Sequence, residues 1–155
     1  MILVVGLSAR ILVQSLKNYV DVFSLDVFGD SDTVADSIGW RSIGNADYSI
    51  EDDKFLKVFE DVVREFSPSA WVHSSGFEGK CGLINKAESF LTHYGLSEEK
   101  ITNVRTPSIF FKALRKLNIS HPSTVVEVNN KRIPKGWIAK NFHTTGGLGV
   151  KKKIL

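Results

Sequence analysis

The chain has 155 residues, enough for one ordinary domain, because domains most often contain about 100–150 residues. Hydrophobic residues make up 43% of the sequence and charged residues 24%, which excludes an intrinsically disordered protein. The apolar runs fall short of the roughly 18 residues of a membrane span, and the single cysteine, Cys81, excludes a disulfide framework. We therefore expect a globular protein of the reducing cytoplasm, without a membrane partner.

Charge is distributed unevenly along the chain. Residues 1–99 contain 8 Lys and Arg against 16 Asp and Glu, whereas residues 100–155 contain 12 against one, Glu127. The C-terminal third is therefore a cationic segment attached to an acidic body. Such a segment attracts phosphates on a nucleotide, a nucleic acid or a membrane surface, and charge alone does not distinguish these partners.

The N-terminal residues predict a βαβ unit. Ile2–Val5 is a continuous apolar run, typical of a strand covered on both faces, and no basic leader precedes it as in a signal peptide. Gly6 predicts a turn, Ser8 is the expected cap of the next helix, and Val22–Leu25 is a second strand that ends at Asp26. Such a unit favours a parallel sheet with a right-handed connection.

The following segments alternate between the strand and the helix pattern. Short apolar or β-branched runs predict three strands, at Trp40–Ile43, at Ala70–His73 and, on an edge, at Ile101–Val104. Apolar residues at helical spacing predict three helices, from Glu51 to the break at Ser67-Pro68, over Leu83–Tyr94 and over Pro107–Leu117. We expect Thr106 to cap the last helix and Phe110, Phe111, Leu114 and Leu117 to face the core.

After Asn118 the pattern changes to short β segments. Thr124–Val128 and Trp137–Lys140 are expected strands, and residues 144–150 form a glycine-rich loop that enters a third strand. The expected fold class is α/β. A Rossmann-like domain with a parallel sheet covers residues 1–118, and a short antiparallel β unit follows over residues 119–155.

The first βα turn has one feature of a dinucleotide site. Asp26 lies 20 residues after Gly6, the distance at which a ribose-binding acid is expected. The turn itself, however, contains one glycine where the G-x-G-x-x-G fingerprint needs three. We therefore favour the alternative in which Gly6 makes a tight turn and Ser8 caps the helix.

A second candidate site is the loop that follows the strand Ala70–His73. Its position predicts the carboxyl edge of the sheet, where ligands of open α/β sheets bind. Glu78 can take a substrate amine or a metal-bound water there, and Ser75 can offer a hydroxyl beside Gly76. The alternative is a turn with a solvated acid and Phe77 packed beneath it, and the sequence leaves both open.

Histidine and cysteine give no catalytic or metal signature. His73, His93, His121 and His143 lack metal-ligand spacing, and His93 reads as structural or exposed. A dyad of Cys81 with one of them has no support in the sequence. We therefore expect no metal site in this chain, and the sequence identifies no catalytic residue.

The strongest local signal is a lysine on a strand followed by a glycine-rich loop. Glycines let backbone N–H groups converge on an anion, and a lysine adds a point charge. The candidate phosphate-binding residues are Lys140, Thr144, Thr145, Gly146, Gly147 and Gly149. The segment is not a Walker loop, because it has no G-K-[ST] and no helix follows. The alternative is an ordinary hairpin with a glycine turn and surface lysines.

This order of parts resembles the ATP-grasp superfamily. Its members begin with a Rossmann-like pre-ATP-grasp domain and a linking helix, here Pro107–Leu117, and a segment ending in a proline follows, here Pro122. Two strands come next, the second with an ATP-contacting lysine that Lys140 matches, and then a G-G-x-G loop that Gly146–Gly149 matches. The segments Ser75–Glu78 and Trp137–Lys140 are most similar to an archaeal and methylotroph branch, some of whose members are linked to methanofuran or tetrahydromethanopterin one-carbon metabolism.

The resemblance implies the N-terminal portion of an ATP-dependent carboxylate–amine ligase. Residues 1–118 would be the pre-ATP-grasp domain and residues 119–155 the truncated start of an ATP-grasp subdomain. The family uses ATP with Mg²⁺, but its acidic metal ligands and adenine-binding residues lie downstream of the loop. We therefore expect this chain to be inactive alone and to bind ATP weakly or not at all. The possible substrate-binding residues are Gly6, Ser8, Ser75, Gly76 and Glu78.

The expected partners are a nucleotide and either a second copy of the chain or a complementing C-terminal half. The alternative function is a non-catalytic binding or scaffold protein whose basic C-terminal segment meets a partner or nucleic acid. We rank it second because Phe110, Phe111 and Trp137 are expected in the core, where they are not available to stack on bases.

Overall fold

A computed structural model describes residues 1–126, 135–144, 147 and 149–152, except for the side chain of Lys152. The strands in these residues are β1 (Ile2–Val5), β2 (Val22–Asp26), β3 (Gly39–Ser42), β4 (Ala70–His73), β5 (Ile138–Lys140) and β6 (Val150–Lys152). The helices are α1 (Arg10–Leu16), α2 (Ser31–Ala35), α3 (Asp52–Phe66), α4 (Gly82–Glu88), α5 (Glu98–Arg105) and α6 (Pro107–Lys116). Thr145, Gly146 and the end of the expected strand Thr124–Val128 lie outside the described residues.

The first four strands form a parallel sheet in the order β3-β2-β1-β4. Between consecutive strands the chain crosses back to the edge of the sheet where the previous strand began, as parallel pairing requires. The chain adds β2 and β3 on one side of β1 and then crosses to add β4 on the other side. The carboxyl ends of β1 and β4 therefore flank the switch point of the sheet, where open α/β sheets bind ligands. The predicted α/β class is confirmed.

An aromatic cluster holds α3 against one face of the sheet. Phe55 and Phe59 of α3 are fully buried, and their rings contact Phe77 and Trp71 with centroids 5.4 and 5.2 Å apart. Burial of one such side chain contributes about 1.5–3 kcal/mol. Val4, Ala9, Val13 and Val22 form the smaller cluster on the other face.

The ends of α3 agree with the sequence pattern. The Glu51 carboxylate accepts hydrogen bonds from the backbone N–H groups of Asp53 and Lys54, which satisfies two donors at the start of the helix. Ser67 ends the helix in the left-handed region, with φ +48°. The helix predicted between Glu51 and Ser67 is therefore confirmed.

Two expected elements around α5 were wrong. The segment expected as an edge strand, Ile101–Val104, lies inside α5, because the Ser97 hydroxyl caps this helix at Lys100 N and two acidic residues occupy its first turn. The helix expected to reach Tyr94 ends at Glu88. Residues 92–94 instead pair with the edge of β4, where Trp71 N donates to Thr92 O and Tyr94 N donates to Trp71 O.

The expectation that the apolar residues of α6 and Trp137 lie in the core was also wrong. No residue of α6 is buried, and Phe110 and Leu117 are 36% and 66% exposed. The physical reason is that α6 packs mainly against α5. Trp137 is 38% exposed, so the ground for ranking a scaffold role second does not hold. Thr106 does occupy the N-cap position with Pro107 at N1, but its side chain makes no capping bond.

The C-terminal segment forms an antiparallel hairpin. β5 pairs with β6 in a register that sets Lys140 opposite Val150, as expected of a lysine strand followed by a loop and a further strand. The described part of Thr124–Val128 is not in a strand. Among the described residues, no helix is both long and apolar enough to cross a membrane.

Candidate functional site

The turn after β1 packs directly against the end of β4. A Cβ atom on Gly6 would lie 1.9 Å from Ser74 Oγ, so a side chain at this position would displace the Ser74 hydroxyl. Ser74 Oγ donates to Ser8 O at 2.7 Å, and Leu7 N donates to Ser75 O at 2.7 Å. These bonds bring Gly6 and Ser8 into contact with the loop that begins at Ser74.

Asp26 takes the capping role that the sequence assigned to Ser8. The carboxylate of Asp26 is fully buried, and its Oδ2 accepts from Ala9 N at the start of α1. Its Oδ1 accepts from Gly29 N and from Trp40 Nε1, at 2.9 and 2.7 Å. The expected Ser8 cap is therefore wrong. A carboxylate with both oxygens occupied by protein donors is not available to a ribose, which agrees with our rejection of the dinucleotide reading.

The loop after β4 combines the two interpretations that the sequence left open. Phe77 is 2% exposed and packs on the aromatic cluster, as in the structural alternative. Glu78 is half-buried, and its Oε2 accepts from Gly76 N at 2.7 Å in a turn that needs the positive φ of Gly76, +112°. The Ser75 side chain is exposed. Glu78 is thus a fixed carboxylate and not a freely solvated one.

A cavity of about 180 Å³, here called the switch-point cavity, lies at the carboxyl end of β4, one of the two strands that flank the switch point. It is lined by His73, Ser74, Phe77, Glu78 and Ile101. A larger depression of about 450 Å³ lies beside α5, but it is shallow and away from the carboxyl ends of the strands. We take the smaller cavity as the candidate site, because it lies where parallel sheets bind ligands and contains a fixed carboxylate.

His73, which lines this cavity, contacts a second histidine that the sequence did not connect with it, His93. His73 Nδ1 and His93 Nε2 are 2.8 Å apart, and His93 Nδ1 lies 3.0 Å from Glu88 Oε1. The side chain of His93 is 3% exposed and stacks on Trp71. Burial, together with the neighbouring His93, lowers the pKa of His73 from 6.5 to about 4, although Glu78 and Glu88 oppose this. The only sequence signal for this pair was the place of His73 at the end of a parallel strand.

Cys81 lies behind the same loop and is not an activated nucleophile. Its Sγ contacts Phe77 O at 3.2 Å, and burial raises the pKa of the thiol. A raised pKa disfavours the thiolate, which is the reactive form.

The second candidate set lies on the hairpin. Lys140 is exposed on β5, and Thr144 Oγ1 donates to Asn141 O at the start of the loop. Gly147 and Gly149 have φ values of +82° and +75°, which side chains other than glycine rarely adopt. The loop therefore requires glycines at both positions. Thr145 and Gly146, the other members of the set, lie outside the described residues.

The start of the glycine-rich loop contacts the body of the protein. Arg105 Nη2 donates to Phe142 O and to Thr144 O, both at 2.8 Å. A Cβ atom on Gly79 would lie 2.6 Å from His143 O, so the hairpin backbone closely approaches the loop that carries Glu78. The candidate phosphate-binding loop and the loop that carries Glu78 are therefore neighbours where Gly79 approaches His143.

Comparison with solved structures identifies this architecture. The biotin carboxylase domain of Hydrogenobacter thermophilus 2-oxoglutarate carboxylase, solved with MgADP, ADP and bicarbonate, matches 96% of this chain with a TM-score of 0.66 at 12% identity. The chain has the pre-ATP-grasp fold of the biotin carboxylases. A biotin carboxylase domain of a single-chain bacterial carboxylase matches 84% of the chain with a TM-score of 0.61 at 11% identity. K. lactis urea amidolyase matches 75% of the chain with a TM-score of 0.55 at 12% identity.

These similarities, at 11 and 12% identity, show the fold alone. The chain covers 36%, 32% and 8% of the lengths of the three neighbours, in the order above. No protein-family profile and no curated protein matches the chain. The fold is thus established by the neighbours, and the activity is a separate question.

Proposed function

We propose that this chain supplies the substrate-binding and phosphate-binding N-terminal part of an ATP-grasp-type carboxylate–amine ligase. The observation that carries the proposal is the double hydrogen bond from Arg105 to Phe142 O and Thr144 O. It holds the start of a glycine-rich loop beside the switch-point cavity of a pre-ATP-grasp fold. A loop in that place can bring a phosphoryl group to a substrate bound at the sheet edge.

The phosphate side of the proposed site consists of a cation and a glycine loop. Lys140 supplies a charge that makes no ion pair among the described residues, and the loop glycines allow backbone N–H groups to turn toward an anion. The proposed phosphate-binding residues are Lys140, Thr144, Thr145, Gly146, Gly147 and Gly149. The cationic segment from Lys100 onward adds long-range attraction for the nucleotide.

The substrate side is the edge formed by β1 and β4. We propose that Gly6, Ser8, Ser75, Gly76 and Glu78 bind the small substrate. Gly6 and Gly76 keep the backbone of the two turns in close contact, and the Glu78 carboxylate lines the cavity. The proposed division of the chain is a pre-ATP-grasp domain over residues 1–118 and the start of an ATP-grasp subdomain over residues 119–155.

The proposed reaction has two steps. A carboxylate oxygen attacks the γ-phosphorus of ATP, and ADP leaves with the electrons of the broken P–O bond. A neutral amine then attacks the acyl carbon, inorganic phosphate leaves as the C–N bond forms, and the nitrogen gives one proton to the departing phosphate. Here Lys140 and the loop hold phosphate oxygens, and the cavity orients the small substrate.

Magnesium does not fit the described part of this chain. Mg²⁺ prefers carboxylate oxygens and water, and among residues 1–126, 135–144, 147 and 149–152 no three His, Cys, Asp or Glu side chains converge. We therefore assign the metal to residues outside this set and derive no step through it. A second copy of the chain or a complementing C-terminal half would be the partner that completes the site.

Two finer parts of the proposal concern the setting of the enzyme. The segments Ser75–Glu78 and Trp137–Lys140 support assignment to the branch linked to methanofuran or tetrahydromethanopterin one-carbon metabolism. The single cysteine supports a cytoplasmic location. No observation on the described residues favours the scaffold alternative.

Nucleotide binding by a charge-removing variant tests the proposal. We expect Lys140→Met to weaken binding of ATP, measured by calorimetry, about tenfold or more, because a charge-assisted phosphate contact is lost. Lys112→Met, at an exposed position on α6, is the matched control and should leave the affinity unchanged.

Turnover provides the second measurement. We expect no release of phosphate from ATP by this chain alone in the presence of a carboxylate and an amine. Equal affinities of the two variants, or turnover at an enzymatic rate, would contradict the proposal.

A further inference from the structure

Glu88, His93 and His73 form a hydrogen-bonded chain that ends at the switch-point cavity. The first link joins Glu88 Oε1 to His93 Nδ1 at 3.0 Å, and the second joins His93 Nε2 to His73 Nδ1 at 2.8 Å. A Cβ atom on Gly95 would lie 2.5 Å from His93 Nε2, so the glycine makes room for this contact. The geometry is thus built by residues from β4, the end of α4 and the segment after it.

The direction of each hydrogen bond follows from the acid at one end. A carboxylate only accepts, so the hydrogen on His93 is at Nδ1. Nε2 of neutral His93 then accepts, and the hydrogen on His73 is at Nδ1. The other ring nitrogen, Nε2 of His73, is left unprotonated and has no hydrogen-bond partner in the part of the chain that the structure describes. Glu88 therefore sets the tautomer of a ring that it does not touch.

The polar side chains of the cavity all offer acceptors. The hydroxyl hydrogen of Ser74 is used by Ser8 O, and His73 keeps only its Nε2 lone pair. Glu78 Oε2 accepts from Gly76 N, whereas Oε1 has no partner among the described residues. Phe77 and Ile101 supply the apolar walls. A ligand that satisfies these groups must bring hydrogen-bond donors and, next to Glu78, a positive charge.

We propose that this cavity binds a small primary ammonium or amine, with Nε2 of His73 and the Glu78 carboxylate as its acceptors and Glu88 and His93 as the residues that position His73. The inference deepens the proposed function, since it places the amine of the ligase at the carboxyl edge of β1 and β4. The cavity volume of about 180 Å³ lies below the roughly 300 Å³ at which ordinary ligand pockets begin, so the bound group is small.

Protonation of His93 reverses the direction of the hydrogen bond between His93 Nε2 and His73 Nδ1. Both ring nitrogens of a charged His93 donate, so His73 then accepts at Nδ1 and carries its hydrogen at Nε2, where it faces the ligand. The charged and titratable groups that act on His73 are His93, Glu78 and Glu88. The proposed binding mode therefore requires the neutral form of His93.

A titration with two cations tests the inference on the full chain. Methylammonium carries three N–H donors, whereas tetramethylammonium carries the same charge and none. At pH 8 and constant ionic strength, we expect methylammonium to shift the NMR signals of the His73 ring and the Glu78 carboxylate in a saturable way. Tetramethylammonium should leave both unshifted. Absence of the methylammonium shift, or equal shifts with both ions, overturns the inference.

Two glutamine substitutions separate binding from positioning. Glu78→Gln removes the charge and should weaken methylammonium binding about tenfold or more. Glu88→Gln can donate to His93 as well as accept, so a measurable fraction of His73 should carry its hydrogen at Nε2 instead of Nδ1. The ring ¹⁵N chemical shifts report this tautomer directly. Glu99→Gln, at an exposed site on α5, is the matched control.

The outcomes are decisive in either direction. Wild-type His73 with its hydrogen at Nε2 at pH 8, or an unchanged tautomer in Glu88→Gln, refutes the positioning role. The titration contains no nucleotide and does not involve Lys140. Its failure is therefore distinguishable from a failure of the proposed ATP contact.

Discussion

The stability of the fold should depend on the protonation of His73. In the folded protein the pKa of His73 is about 4, against an ordinary 6.5, because the ring is desolvated and adjoins His93. Between these values the unfolded chain binds a proton at His73 and the folded protein does not. The free energy of unfolding is therefore complete above about pH 6.5 and decreases as the pH falls toward about 4.

The size of this effect can be bounded from the shift. A pKa change from 6.5 to about 4 would correspond to about 3 kcal/mol, because each unit is worth about 1.4 kcal/mol. His73 is only partly buried, so solvent screening reduces this figure. We expect about 1–2 kcal/mol of stability to be lost through His73 across this pH range.

The assay is urea denaturation at a series of pH values for the wild type and for His73→Phe. Phenylalanine keeps an aromatic ring but does not titrate, so the wild type should lose stability relative to His73→Phe as the pH falls from 6.5 to 4. Carboxylates that do not act on His73 titrate alike in both proteins and cancel in the difference. His143→Phe, at an exposed position, is the control and should follow the wild type. Parallel wild-type and His73→Phe curves over this range would refute the reasoning.

Two further predictions concern the buried contacts that shape the sheet edge. Asp26→Asn should lower the free energy of unfolding by about 3 kcal/mol, because an amide cannot accept all three hydrogen bonds, whereas Asp61→Asn on the exposed face of α3 should have little effect. Gly6→Ala should cost about 2 kcal/mol or more through its clash with Ser74 Oγ, whereas Gly82→Ala, with nothing within 4 Å, should be neutral or stabilising. Urea denaturation measures both pairs, and equal stabilities within either pair would contradict the contact it tests.

The alternation of strands and helices in the first half of the chain was readable from the sequence. Ile2–Val5 and Ala70–His73 are short apolar runs whose bounds agree with β1 and β4, because strands of a parallel sheet lie beneath the helices that cover it. The glycine-rich loop after Lys140 was readable as well, since the positive φ values of Gly147 and Gly149 require glycine. These features depend on local patterning, which one sequence contains.

Features that depend on neighbours distant in the chain were not readable. Asp26 caps α1 in place of Ser8, because β2 brings the Asp26 carboxylate against Ala9 N. Ile101–Val104 resembles a strand in composition, yet it lies in α5, where the cap at Ser97 and the packing of the helix decide its state. Local propensity was overruled in both cases by a tertiary or capping contact.

The candidate site shows the same division. By itself the sequence determined that a parallel sheet would present Glu78 at its carboxyl edge, since this follows from strand order and chain direction. Only the tertiary structure decided that His73 and His93, 20 residues apart, would share a hydrogen bond with Glu88 behind them. The reason is physical: residues 92–94 leave the helix pattern to pair with Trp71, and that pairing exists only once β4 is in place.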